Sequence, residues 1–224
     1  GICGFCNIEE SEYDTFGAGH ASTAISAALG IAKGRDFKEE KYKVVAIVGD
    51  GALTAGLAFE GLNNLGASKT DMLIVLNDNR MSISPNVGAI SNYLNKIVLS
   101  PGYFKLRKTT KDLLNMIPGI GQEGIEKVFK AQEMLRNITD EGIFFESLGF
   151  QYFGPIDGHS FDELIPALQN VKHLKGPVLL HVKTEKGKGY SFAEKDIDKF
   201  HGMSPFDQVN GQKYVTTTNV TYTD

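Results

Sequence analysis

Three features of the sequence predict an α/β fold, a mostly parallel sheet with helices on both faces. Apolar runs recur at 42–49 ("YKVVAIVG"), 71–78 ("DMLIVLND") and 176–184 ("GPVLLHVKT"). Each is short, as in strands buried on both faces. Segments with helical spacing separate them, so strands and helices alternate. The first run stops at Gly49-Asp50-Gly51 and a helical pattern follows, the junction of a strand–helix–strand unit with a right-handed crossover.

In chain order, residues 1–18 are polar, contain glycine and read as loop. "STAISAALGIAK" (22–33) is small and apolar, which suits a tightly packed helix starting at Ser22 or Thr23. After the strand at 42–49, Thr54–Leu65 predicts a helix with Leu57, Ala58, Leu62 and Leu65 as its apolar positions. The strand at 71–78 follows. Residues 79–120 carry prolines at 85, 101 and 118 and read as irregular. A loop region that long inside a compact domain is usually functional or mobile. Residues 122–148 read as helical. "GFQYFGPIDGH" (149–159) gives a short strand and a turn. Ser160–Val171 is an amphipathic helix with Ser160 as cap and Glu163 at capping-box spacing. The strand at 176–184 comes next. Beyond about Pro205 the chain turns polar and Thr-rich, so 1–205 reads as the domain and 206–224 as a linker leaving it.

Composition bounds the function. The chain has 224 residues, 42% hydrophobic and 22% charged, enough for one good core. Its net charge of −4 comes from interspersed acids and bases, which disfavours nucleic acid or an anionic membrane as main partner. No apolar run reaches the roughly 18 residues a membrane span needs. The start "GICGFCNIEE" lacks the basic and apolar regions of a signal peptide. It also lacks an initiator Met, the expectation for a processed or partial product. Cys3 and Cys6 form C-x-x-C, but zinc would need a second ligand pair and no other cysteine exists. No apolar strand precedes them, so they read as two reduced thiols of a cytosolic protein.

The chemistry gathers at the strand ends. In open parallel sheets ligands bind beyond the carboxyl ends of the strands. Asp50 ends one strand, and Asn77-Asp78-Asn79 ends the next. Oxygen ligands from Asp50 and Asn79 suit Mg²⁺, which completes its octahedron with phosphate oxygens and water. Glycines 49 and 51 let a diphosphate approach the backbone, and amides at the start of the next helix add donors. "GDGALTAG" is not G-x-G-x-x-G, because Thr54 takes the third position, and no Gly-Lys-Ser/Thr follows. The plain alternative is a strand–helix turn with an Asp cap. His20 has a plain reading too, as a cap of the following helix, and His159 as a turn residue. His173 reads as exposed near a helix end. His181, on an apolar strand, reads as a satisfied core histidine. Lys183, Lys186 and Lys188 have the plain reading of a solvated strand end.

Gly49-Asp50-Gly51 followed by Asn77-Asp78-Asn79 resembles the cofactor signature of transketolase-like thiamine diphosphate enzymes. The ordered segments "ESEYDTFGAGHASTAISAALGIA", "GDGALTAGLAFEGLNN", "LNDNRMSISPNVGAIS", "LGFQYFGPIDGHSFDELIPAL", "KGPVLLHVKTEKGKGY" and "AEKDIDKFHGMSPFD" resemble the 1-deoxy-D-xylulose-5-phosphate synthase family over nearly the whole chain. The resemblance implies the diphosphate-type domain of a thiamine diphosphate-binding fold. It implies an enzyme that condenses pyruvate with glyceraldehyde 3-phosphate, releases CO₂ and feeds isoprenoid, thiamine and pyridoxal synthesis. By position it implies Asp50, Asn79 and the Met81 carbonyl as Mg²⁺ ligands. Gly51 and Ala52 match diphosphate-contacting amides. Gly19, His20 and Ala21 match a cofactor-contacting Gly-His-Ser segment, with Ala21 in place of the Ser. Tyr190 matches another cofactor-side residue, and Lys186 and His201 match polar residues that approach the active site. The resemblance further implies that the glutamate activating the cofactor belongs to a pyrimidine-binding domain outside this chain, and that the intact enzyme is a homodimer with a further C-terminal domain. The chain alone is then expected not to turn over. Another transketolase-like thiamine diphosphate enzyme and a non-catalytic assembly module remain alternatives.

Overall fold

The computed structural model describes residues 3–79 and 142–214. Four strands form one parallel sheet in the order β1-β2-β4-β3. They are β1 (Val45–Gly49), β2 (Met72–Asp78), β3 (Gln151–Asp157) and β4 (Pro177–Lys183). Side chains alternate across a strand, and β2 shows it plainly. Met72, Ile74, Leu76 and Asp78 are buried on one face, while Leu73, Val75 and Asn77 are half-buried on the other. Central β4 is buried from Pro177 to Val182.

The first face packs on α1 (Ala24–Phe37), α3 (Gly56–Ser68) and α4 (Ile143–Ser147). Its core contains Ile25, Leu62, Leu65, Ile74, Leu76, Phe145 and Leu179. Helix α5 (Phe161–Val171) covers the second face, setting Ala167 and Val171 against Val178, Leu180 and Val182. The apolar run of β1 predicts cover on both faces, and there the expectation fails. Val45 and Ile47 are 49% and 70% exposed. Strand β1 is an edge of the described sheet, and α5 lies over its far side.

Small residues let α1 and α3 approach closely. A Cβ on Gly61 would come within 2.8 Å of Ile25 Cγ2 and 2.9 Å of Ser26 Oγ. Ser26 Oγ donates to the Leu57 carbonyl at 3.2 Å. Buried Arg35 ties the end of α1 to the approach of β1, with donors to Asp36 Oδ1 and the Tyr42 carbonyl.

The expected helix 54–65 is present as α3, beginning two residues later at Gly56 and running to Ser68. A separate single turn, α2 (Asp50–Leu53), precedes it and contains the aspartate. Ala58, Leu62 and Leu65 are buried as expected, but Leu57 is exposed at the rim of the stripe. Two capping expectations also change. At α1, Thr23 occupies the cap position without a side-chain cap bond. At α5, Ser160 likewise caps through its backbone alone. Glu163 Oε2 accepts from the Asp157 amide at 3.4 Å instead of closing a box with Ser160.

The chain divides into two compact units after Thr184. In the second, α6 (Ser191–Lys195) and α7 (Ile197–Phe200) precede an antiparallel pair, β5 (Phe206–Asp207) and β6 (Gln212–Lys213). Tyr190 packs against Phe192, Phe200 and Phe206, with ring centroids 5.6–6.0 Å away. Part of the expected linker is therefore regular structure. None of the described helices is long and apolar enough to cross a membrane. The expected loop at 80–120, most of the helical stretch 122–148, and Met81 lie outside the described residues.

Candidate functional site

Parallel pairing sets the site. Gly49 of β1 pairs with Asn77 of β2. The residues that follow, Asp50 and Asp78, therefore lie at the same sheet edge on neighbouring strands, and Asn79 is one step beyond. Asp50 is 4% exposed and Asp78 2%. A nearly buried carboxylate such as that of Asp50, in a low-dielectric setting at the strand ends, attracts a cation. Above the end of β1 there is room, since a Cβ on Gly49 would meet nothing within 4 Å. Gly51 and Ala52 are half-buried in α2. One turn of helix sums few peptide dipoles, so the expected help from a helix start reduces to individual amides.

The structure brings a second predicted segment to this turn. Ser22 Oγ donates to the Ala52 carbonyl at 2.7 Å, which holds exposed Gly19, His20 and Ala21 beside the Gly-Asp-Gly turn. Ser22 has φ +72°, a left-handed conformation that side chains rarely adopt. Thr23 Oγ1 donates to the His20 carbonyl at 3.2 Å. Of the two hydroxyls expected to start the helix, Ser22 thus ties this segment to the Gly-Asp-Gly turn, and Thr23 closes a turn within the segment.

The end of β2 is held in detail. Thr184 Oγ1 donates to Asn77 Oδ1 at 2.6 Å, and the Thr184 amide donates to the Asp78 carbonyl at 2.9 Å. His181 Nε2 lies 3.0 Å from Asp78 Oδ2, and His181 Nδ1 lies 2.7 Å from the Tyr152 hydroxyl. The reading of His181 as a satisfied core histidine therefore holds, and its partners are Asp78 and Tyr152. Sequence reasoning missed Ser22, Tyr152, Asp78 and Thr184 as parts of this edge. One signal was available: Asp78 shares the period-two phase of Met72, Ile74 and Leu76, and an acid on the core face needs a partner.

Of the remaining candidates, Lys186, Tyr190 and His201 belong to the second unit. Lys186 Nζ is hydrogen-bonded to His201 Nδ1. Tyr190 donates to the Gln208 carbonyl at 3.0 Å. Exposed His159 forms a turn, its amide donating to Asp157 Oδ1 at 2.9 Å. His173 is exposed after α5. Lys188 pairs with Glu185 at 2.6 Å.

The donor set fits a hard divalent cation with few protein ligands. Asp50 and Asn79 offer oxygen, as Mg²⁺ prefers. Among the described residues no group of three or more His, Cys, Asp or Glu could hold a metal. A cation at this edge would take most of its oxygens from a ligand and from water.

Comparison with known proteins identifies the family. A family model described as 1-deoxy-D-xylulose-5-phosphate synthase matches residues 1–184. A 1-deoxy-D-xylulose-5-phosphate synthase of Caldanaerobacter subterraneus subsp. tengcongensis is 51% identical over 224 residues, covering 100% of this chain and 36% of that protein. One of Syntrophus aciditrophicus is 54% identical over 212 residues, covering 95% of this chain and 33% of that protein. The chain thus spans about a third of the length of these curated relatives. A transketolase from Campylobacter jejuni shares the fold, with a TM-score of 0.50 at 18% identity over 81% of this chain and 22% of that one. Matched by the family model over the whole first unit, and by relatives across its length, the chain belongs to the 1-deoxy-D-xylulose-5-phosphate synthase family.

Proposed function

We propose that this chain supplies the diphosphate- and Mg²⁺-binding part of a thiamine diphosphate enzyme. That enzyme condenses pyruvate with glyceraldehyde 3-phosphate to give 1-deoxy-D-xylulose 5-phosphate and CO₂. The observation that carries the reading is the nearly buried Asp50 at the end of β1, one strand from Asn79. Asp50 and Asn79 would hold Mg²⁺ through side-chain oxygens, with the Met81 carbonyl as a third ligand. The Gly51 and Ala52 amides would donate to the diphosphate. Gly19, His20 and Ala21 would flank it, kept there by the Ser22–Ala52 bond, and Tyr190 matches a further cofactor-side residue of the family. Bound thiamine diphosphate supplies a nucleophilic carbon and an electron sink for decarboxylation. Lys186 and His201 would serve the substrates. The activating glutamate, the pyrimidine-binding and C-terminal domains and a homodimeric assembly belong to the same reading. Support for them is the length of the relatives, of which this chain covers a third.

Calorimetric titration of thiamine diphosphate, with and without Mg²⁺, tests the reading. It is run on the chain alone and joined to the remainder of the protein. Mg²⁺-dependent binding should weaken at least about a hundredfold in Asp50→Ala, as removal of a metal ligand requires. Unchanged binding in that variant overturns the assignment. The likeness to a transketolase fold keeps a second reading open, a different thiamine diphosphate enzyme. Substrate screening of the intact protein separates the two, because only the synthase joins pyruvate to glyceraldehyde 3-phosphate.

A further inference from the structure

Three polar side chains interrupt the main apolar face of the sheet. Tyr152 on β3, His181 on β4 and Asp78 on β2 are 3%, 0% and 2% exposed. They run across adjacent strands as one hydrogen-bonded line, 2.7 Å from the Tyr152 hydroxyl to His181 Nδ1 and 3.0 Å from His181 Nε2 to Asp78 Oδ2. One neutral tautomer satisfies all three groups. The Tyr152 hydroxyl donates to Nδ1, and Nε2–H donates to the Asp78 carboxylate. The Tyr152 ring is itself fixed by stacking on Phe145, with centroids 5.8 Å apart and planes 4° from parallel.

Such a line is not what core stability favours. Well-packed apolar side chains of similar volume commonly stabilise as much as a buried polar network or more. What distinguishes this one is where it ends. Asp78 stands between Asn77 and Asn79, and its own carbonyl is held by the Thr184 amide. Its carboxylate is turned into the sheet, toward His181. The Asn77 amide oxygen is engaged by Thr184 Oγ1. The strand end that presents Asn79 is thereby clamped from β4 on both of its faces.

We propose that Tyr152 and His181 are positioning residues for the cation half of the site. They hold the Asp78 carboxylate inward, so that the end of β2 is fixed with Asn79 beside Asp50, and Asp78 is withheld from the cation. The inference rests on the reading of Asp50 and Asn79 as Mg²⁺ ligands. Outer-shell partners of this kind orient the groups that touch a metal, and their loss typically weakens metal affinity by about ten- to a hundredfold.

The test uses the full-length protein that contains this chain. For Tyr152→Phe, His181→Gln, Asp78→Asn and Asp50→Ala, two quantities are measured. One is the thermal midpoint. The other is the Mg²⁺ affinity in the presence of thiamine diphosphate, by calorimetry. Leu65→Val, a core change on α3, serves as the control for destabilisation alone. Tyr152→Phe keeps the ring and removes only the hydroxyl, so it preserves the fold if any relay variant does. The expected result is a Mg²⁺ affinity lowered about tenfold in Tyr152→Phe, with Leu65→Val lowering the midpoint and leaving the affinity in place. Tyr152→Phe combined with Asp78→Asn should lose less than the sum of the two single effects, because both break one line. The proposal is overturned if the relay variants lower the midpoint but keep wild-type Mg²⁺ affinity while Asp50→Ala abolishes it. If Asp50→Ala also keeps that affinity, the reading of the strand-end site falls, and this inference with it. An Asp78→Asn loss as large as that of Asp50→Ala, with Tyr152→Phe unchanged, would make Asp78 a ligand and likewise overturn the proposal.

Discussion

Asp71 shows how one acid can set a pH dependence away from the site. Partial burial pushes its carboxyl up, but the Gly176 amide, the Lys175 ammonium and the charge of Lys43 outweigh it and hold it below the ordinary value. Oδ1 accepts from the Gly176 amide, and Oδ2 lies 2.9 Å from Lys175 Nζ. A carboxyl lowered on folding adds stability that is fully present above its unfolded value, about 3.9. That stability is lost as pH falls through the lowered folded value. Asp71→Asn should therefore cost up to about 1 kcal/mol at pH 7 and close to nothing at strongly acidic pH. Urea unfolding at the two pH values measures the difference, and an equal cost at both would contradict it. Asp50 ties stability to the cation instead. Asp50→Asn keeps the side-chain volume and removes the charged ligand proposed for Mg²⁺. Mg²⁺ should then no longer raise the melting temperature. Differential scanning fluorimetry with and without Mg²⁺ and thiamine diphosphate reads the loss, and an undiminished Mg²⁺ shift in the variant would contradict it.

At the scale of elements, close approach decides more than propensity. The Cβ of an alanine at position 66 would lie 1.8 Å from the Leu148 carbonyl oxygen. Backbone cannot move aside as a flexible side chain does, so Gly66→Ala should destabilise by about 1–3 kcal/mol or more, although alanine is the better helix former. Denaturant titration of that variant checks this, and a stabilised protein would mean that α3 and the segment after α4 can separate freely. At Gly154, φ is +114° and a Cβ would lie 2.4 Å from the His181 carbonyl. Glycine there lets β3 shift register between Phe153 and Ile156 while remaining against β4. Elements were the most legible level of this sequence. The apolar runs locate β1, β2 and β4 to within two or three residues, because strand burial leaves a short-range pattern. Helix starts were less legible. Thr23 and Ser160 are in cap positions, yet the preceding turns took the side-chain bonds: Thr23 went to the His20 carbonyl, and Glu163 of the expected box to the Asp157 amide.

For the whole molecule, the strand order predicts a gradient of stability. Strands β2 and β4 are paired on both sides, with each other over seven residues and with their outer neighbours over five, whereas β1 has one described partner and exposes Val45 and Ile47. Amide exchange should be slowest in 74–76 and 179–181 and clearly faster in 45–48, since exposed hydrogen bonds open locally. Uniform protection across the sheet would show that β1 is covered in solution by something else. The sequence by itself determined the alternation of strand and helix, the parallel sheet, and the acid and amide waiting at the strand ends. These are written in local periodicity and in residues a few positions apart. It could not determine that β4 inserts between β2 and β3, because strand order is set by packing among distant segments. That insertion decides the rest of the edge. It brings His181 to Asp78 across 103 residues and to Tyr152 across 29. It gives Asn77 and Asp78 their clamp at Thr184. Asp78, the middle residue of Asn-Asp-Asn, is turned into the core, because a buried carboxylate goes where its hydrogen-bond donor is.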